Sequence, residues 1–111
     1  MTTEQPARRL AVVNLRHRIE MVAVGAVRDS FPSQQVSVEQ TQIGRLLAFV
    51  PVAYGQQASM PELIGMVKTA RHIYKRSSDA LHGRSSMVNL SAVLVDEWAA
   101  FVETLEDLAR S

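Results

Sequence analysis

Apolar residues recur at helical spacing in four stretches of the chain, and nowhere do they alternate for long enough to describe a strand. Val12, Leu15, Ile19, Val22 and Ala26 mark one face of a first helix over residues 7–30. Residues 21–27 are apolar nearly all round, which predicts that this half is central. Phe31-Pro32-Ser33 ends the helix, because the residue before a proline avoids helical backbone. Ile43, Leu46, Leu47 and Val50 form the stripe of a second helix, with Ser37 to Gln40 as a capping box at its start and Pro51 as its stop. Residues 51–58 hold Pro51, Gly55 and two glutamines, and read as a loop.

A second capping box, Ser59 with Glu62, opens the third helix, and Pro61 sits in its first turn, where the missing N–H does no harm. Leu63, Val67, Ala70, Tyr74 and Leu81 share one face, widened by Ile64 and Ile73, over residues 60–82. Gly83 is a natural C-terminal stop. Residues 84–89 turn the chain into a last helix over 88–109, with Leu94, Trp98, Phe101, Leu105 and Leu108 inward and its acids outward. The pattern predicts an all-α fold, an antiparallel four-helix bundle, with a disordered tail over 1–6 and a single helical domain over 7–111.

Composition narrows the picture. A chain of 111 residues with 47% apolar content can bury one real core, and with only 5% aromatics that core must come from aliphatic side chains and methionine. The absence of cysteine removes disulfides and cysteine-based metal sites, and suits the reducing cytoplasm expected as its location. No apolar signal region opens the chain, and the run 21–27 is far too short to span a bilayer, so no membrane association is expected.

A net charge of +1 says little about partners, but its distribution does. Residues 60–85 carry five Lys/Arg against Glu62 and Asp79, whereas residues 86–111 carry Arg110 against five acids. A basic segment of this kind can attract a polyanion locally. It also reads as one of two complementary solvated helix faces.

The chemistry concentrates in residues 71–84, Arg-His-Ile-Tyr-Lys-Arg-Ser-Ser-Asp-Ala-Leu-His-Gly-Arg. Arg76 can stabilise a phosphorane, and His82, separated from it by five residues, can move a proton near neutral pH. In an unbroken helix these two point about 120° apart. Ser77, Ser78 and Asp79 compete for backbone hydrogen bonds, so a helix loosened there would let His82 swing toward Arg76. The alternative is a surface Arg76 with His82 as a capping residue at the helix C-terminus.

The stretch from Ile73 to Gly83 resembles the signature of the HEPN superfamily, small helical-bundle proteins of prokaryotic conflict and toxin–antitoxin systems. Their motif is Arg, four to six residues, then His, often with a small polar residue after the Arg and, in one subgroup, Gly after the His. Arg76, Ser77, His82 and Gly83 fill those positions late in the third helix. Arg84 stands two positions after the histidine, where members paired with a nucleotidyltransferase antitoxin carry a tyrosine.

The resemblance implies a metal-independent endoribonuclease, a toxin or antiviral effector, working as a homodimer whose two Arg76 and two His82 side chains share one cleft. It implies Ser77, Lys75 and Arg84 as substrate contacts, RNA as substrate, an antitoxin or regulatory protein as partner, and no metal or other cofactor. Some members of the family are silent binding modules, so a helical bundle that binds a protein or a nucleotide is the alternative. Beyond the motif, His17 reads as part of a solvated face or a phosphate contact. His72 lacks a ligand partner at i+4, so no metal site is expected. Tyr74 and Trp98 read as core, and Asp79 either orients His82 or accepts a local bond.

Overall fold

The computed structural model describes residues 4–33, 42–82 and 90–110, and all the regular structure among them is helical. Three long helices, α1 (Glu4–Ser30), α4 (Met60–Leu81) and α5 (Ala92–Arg110), carry the fold. Between α1 and α4 lie two single-turn helices, α2 (Ile43–Leu46) and α3 (Val50–Ala53), joined by a 3-10 turn over Leu47–Phe49.

The predicted stripe of α1 is the centre of the core: Val12, Leu15, Ile19, Val22 and Ala26 are all buried. The helix begins at Glu4, three residues before its expected start, so residues 4–6 belong to it and not to a tail. Its apolar second half is not enclosed all round, since Met21 is 53% exposed.

The second helical segment departs most from expectation. Ile43, Leu47 and Val50 are buried as predicted, but the segment is broken. Pro51 does not stop it. The chain tightens into the 3-10 turn and then restarts, with Pro51 in the first turn of α3, where it has no intrahelical N–H to lose. Gly55 follows in the turn after α3, where a Cβ would stand 2.7 Å from the Pro51 carbonyl oxygen. The capping box proposed at Ser37 to Gln40 lies outside the described residues.

α4 matches its expected range closely. Ser59 caps it, its Oγ accepting from the Glu62 N–H at 3.3 Å. Leu63, Val67, Ala70 and Ile73 face the core, whereas Ile64 is 45% exposed. α5 opens at Ala92, later than expected and after the non-helical Leu90 and Ser91, with Ser91 Oγ accepting from the Leu94 N–H at 3.1 Å. Its inward stripe is rotated from the expected one. Val95, Trp98, Val102 and Leu105 are buried, while Leu94, Phe101 and Leu108 are half-buried. The rotation follows from α5 leaning on α1, which draws the two valines inward.

The directions of the helices follow from their cross-contacts. Ala7 and Ala11 lie beside Ala92 and Val95 at one end, and Gly25 lies with Ala109 at the other, so α1 and α5 run parallel. Arg18 Nε and Nη2 both reach the Glu106 carboxylate between them, Nε at 3.0 Å and Nη2 at 2.5 Å. That bond raises Arg18 and lowers Glu106 from their ordinary pKa values. Arg9 reaches Leu81 while Glu20 reaches Tyr74, so α4 runs antiparallel to α1. The α2–α3 segment packs at the far end, where Tyr54 donates to Asp29 at 2.9 Å and Phe31 meets Phe49 edge-on at 5.5 Å. Burial, then the bond to Asp29, pushes the Tyr54 hydroxyl up to about 12. The end of α4 therefore lies with the beginnings of α1 and α5.

Candidate functional site

The motif occupies the last turns of α4. The helix does not loosen at Ser77, Ser78 or Asp79, but continues to Leu81 with His82 as its C-cap. The reason is packing. Ser77 and Ala80 are on the buried face, where their small side chains let the helix approach its neighbours, and the weak propensity of Ser77 is offset by that packing. Arg76 and His82 consequently point about 120° apart and are displaced by about 9 Å along the axis. The two side chains therefore leave α4 on different faces.

His82 is exposed. Its Nδ1 lies 2.8 Å from the Ser78 carbonyl oxygen and 3.2 Å from Ser78 Oγ. A carbonyl can only accept, so Nδ1 carries the proton of the neutral ring and Nε2 carries the lone pair. The His82 backbone N–H also donates to the Ser78 carbonyl, at 2.9 Å. One turn of helix thus fixes both the backbone and the ring.

Ser77 is placed differently from expectation. It is fully buried, and its hydroxyl donates to the Tyr74 carbonyl at 2.9 Å. It is closed to a substrate as the fold stands, and acts as a small polar residue satisfied within its own helix. Arg76 is half-buried and engaged in contacts, as is Asp79. Lys75 is exposed. Gly83 and Arg84 lie outside the described residues.

A polar cluster between α1 and α4 had no signature in the motif. The Arg16 guanidinium stacks over the Tyr74 ring, 4.4 Å from its centroid, and the Tyr74 hydroxyl donates to Glu20 at 2.6 Å. Burial and then this bond push the Tyr74 hydroxyl well above its ordinary pKa, with the Arg16 charge acting in the opposite sense. Arg16 Nε is buried without a hydrogen-bond partner among the described residues, so the stacking carries that contact. The cluster occupies the ring face of Tyr74 and supports its reading as a packing residue. The available signal was the i,i+4 pair Arg16 and Glu20 on a face of α1 that turns toward α4.

Arg9 is the other residue the motif did not reveal. Its Nη2 donates to the Leu81 carbonyl at 3.0 Å, placing a guanidinium at the end of α4 beside His82 in sequence. His17 is solvated, with Nδ1 3.8 Å from Glu20. His72 is exposed, and no group of metal-ligating side chains forms among the described residues. No helix among them is long and apolar enough to cross a membrane. No protein-family model matches the chain, and neither a curated protein nor a solved structure matches it.

Proposed function

We propose that the protein is a metal-independent endoribonuclease of the HEPN type, acting as a twofold homodimer at the C-terminal end of α4. One observation carries this reading. His82 is exposed, with Nδ1 committed to the Ser78 carbonyl and Nε2 left as the basic nitrogen. That is the protonation pattern of a general base.

In the proposed reaction His82 Nε2 of one copy removes the proton of an RNA 2′-hydroxyl. The 2′-oxygen forms a bond to phosphorus, and the bond from phosphorus to the 5′-oxygen breaks. His82 of the second copy, protonated, delivers a proton to that leaving oxygen. The products are a 2′,3′-cyclic phosphate and a 5′-hydroxyl.

Arg76 stabilises the charge on the phosphorane. The reading requires a dimer because one histidine cannot easily serve as base and acid at once, whereas two His82 and two Arg76 in one shared cleft can divide the work. Lys75 and Arg84 are the proposed phosphate contacts, and Ser77 is not used. The finer expectations belong here too: a HEPN-like four-helix bundle with the α2–α3 segment as its second member, a cytoplasmic location, and an antitoxin or regulatory protein as partner.

The divergence of Arg76 and His82 within one chain favours a second reading, a silent helical module that binds a protein or a nucleotide. The decisive experiment incubates the purified protein with mixed RNA in chelator, beside His82→Ala, and measures its mass by light scattering. Cyclic-phosphate ends that require His82, from a dimer, support the ribonuclease. An intact RNA pool, or a strict monomer at micromolar concentration, supports the module.

A further inference from the structure

The outward face of α4 carries a basic line that begins before the motif, at Lys68 and Arg71, and meets it at Lys75 and His82. At about 100° and 1.5 Å per residue, Ile64, Lys68, Arg71, Lys75 and His82 fall within an arc of roughly 60° and extend over about 27 Å. All five are exposed. Lys68 and Lys75 are the only lysines in the chain. No ion pair among the described residues engages Lys68, Arg71 or Lys75. Of the two carboxylates of α4, Glu62 lies in the first turn on another face, and Asp79 is half-buried at the margin of the line. Arg76 lies outside the arc.

The line begins at an apolar groove of 220 Å³ between α4 and the segment before it. Ala48, Pro51, Ile64 and Val67 form its walls, and Lys68 and Arg71 its rim. Arg71 Nε donates to the Gly44 carbonyl at 2.7 Å, which holds its guanidinium there. A row of cations alone fits any polyanion. A row of cations beside an apolar slot fits a strand whose bases are unstacked, because each nucleotide then offers a phosphate and an apolar face together. A duplex keeps its bases stacked and offers only the phosphates.

We propose that this face is a binding track for single-stranded RNA. Phosphates rest on Lys68, Arg71 and Lys75, one base enters the groove beside Ile64, and the strand leads along α4 to His82. The track deepens the ribonuclease reading and rests on it only for what happens at His82.

The test measures binding separately from cleavage. A short fluorescein-labelled 2′-O-methyl oligoribonucleotide, which lacks the attacking hydroxyl, is titrated into the protein at low salt with chelator present, and anisotropy is recorded. The double variant Lys68→Ala/Lys75→Ala should bind about tenfold more weakly or worse, and the slope of log affinity against log salt should fall by about 1.4 for two lost contacts. Ile64→Glu should weaken the single strand, while Arg28→Ala, on α1 and exposed, should match the wild type.

Equal affinity of the double variant, no measurable wild-type binding, or equal affinity for a duplex of the same length overturns the track. So does displacement of the oligonucleotide by polyglutamate at matched charge, which would mark the face as a dock for an acidic protein segment. Binding without any cleavage of natural RNA keeps the track and removes the ribonuclease. Cleavage indifferent to Lys68 and Lys75 does the reverse.

Discussion

The two faces of α4 solve opposite problems. On the inner face Leu63, Val67, Ala70, Ile73, Ser77 and Ala80 are buried, and the polar groups around them are committed: Ser77 to its own helix, Tyr74 to Glu20 and Arg16. On the outer face Lys68, Arg71, Lys75 and His82 are exposed, and what they have in common is charge or proton chemistry in water. The motif read from the sequence runs across both faces, because a helix turns about 100° per residue and a run of consecutive residues cannot stay on one side. Ser77 falls inside and His82 outside. Adjacency in the motif is therefore a poor guide to shared function, and the helical face is a better one.

Substitutions can break this contrast. On the ribonuclease reading His82→Ala has the largest expected effect, a loss of roughly 10²–10⁴-fold in RNA cleavage with a nearly unchanged melting temperature, since the side chain is exposed. Arg76→Ala should lower cleavage by about 10²-fold, and Arg76→Lys should restore little of it, because an ammonium cannot make a bidentate contact. Loss of activity matched by loss of folded protein would place either residue on the structural side.

Ile73→Ala works from the other face. It should cost about 2–5 kcal/mol in a denaturant titration through the cavity it leaves, because Ile73 is fully buried. Cleavage per folded molecule should stay the same.

Tyr74→Phe should cost less, on the order of 1–2 kcal/mol, from the hydrogen bond to a charged acceptor. Its partner Glu20 would keep some access to water. An unchanged denaturation midpoint would show that the bond from the Tyr74 hydroxyl to Glu20 adds no stability.

Alkaline titration sharpens the same point without a mutation. The chain has two tyrosines, and both hydroxyls are shifted upward, Tyr54 from 10.0 to about 12 and Tyr74 further. A folded pKa above the unfolded one means that each contribution is full below pH 10.0 and is lost as pH rises through the folded value. Ultraviolet absorbance should show little tyrosinate in the folded protein just above pH 10, and abundant tyrosinate once it is unfolded in urea. A tyrosine that titrates normally at 10.0 would mean that its hydroxyl is neither buried nor bonded to its carboxylate in solution.

The smallest effect belongs to Lys68→Ala, which should leave thermal stability within about 0.5 kcal/mol. A larger loss would mean that the outer face also holds the fold together.

Much of the fold was legible because apolar periodicity is a local signal. Every residue of the expected α1 stripe is buried, and the Ser59 cap and Pro61 mark the start of α4 where they should. The second segment was less legible, since a proline after four apolar positions reads equally as the end of one helix or the start of the next, and only packing against α1 and α4 decides. The inward face of α5 was misjudged by a rotation that depends on where α1 lies, which is not a local property. In the site, the exposure of His82 followed from its place near a helix end. The burial of Ser77 did not, because it depends on how closely α4 approaches its neighbours. Arg9 was invisible for the same reason, being far from Leu81 in sequence.

The parallel pairing of α1 with α5 has a consequence for synthesis. α1 is made first and has apolar residues on most of its circumference, yet the helix it shares its longest contact with is made last. At ~5–20 residues per second, α1 waits several seconds before α5 can cover it. During that time, among the described residues, α4 and the short segment before it are its shelter, with Leu63, Val67 and Ala70 closing on one side while the side destined for Val95 and Val102 stays open. A ribosome stalled before Ala92 would therefore hold out a sticky intermediate, and protection of α1 from protease or chaperone should arrive abruptly with the last helix.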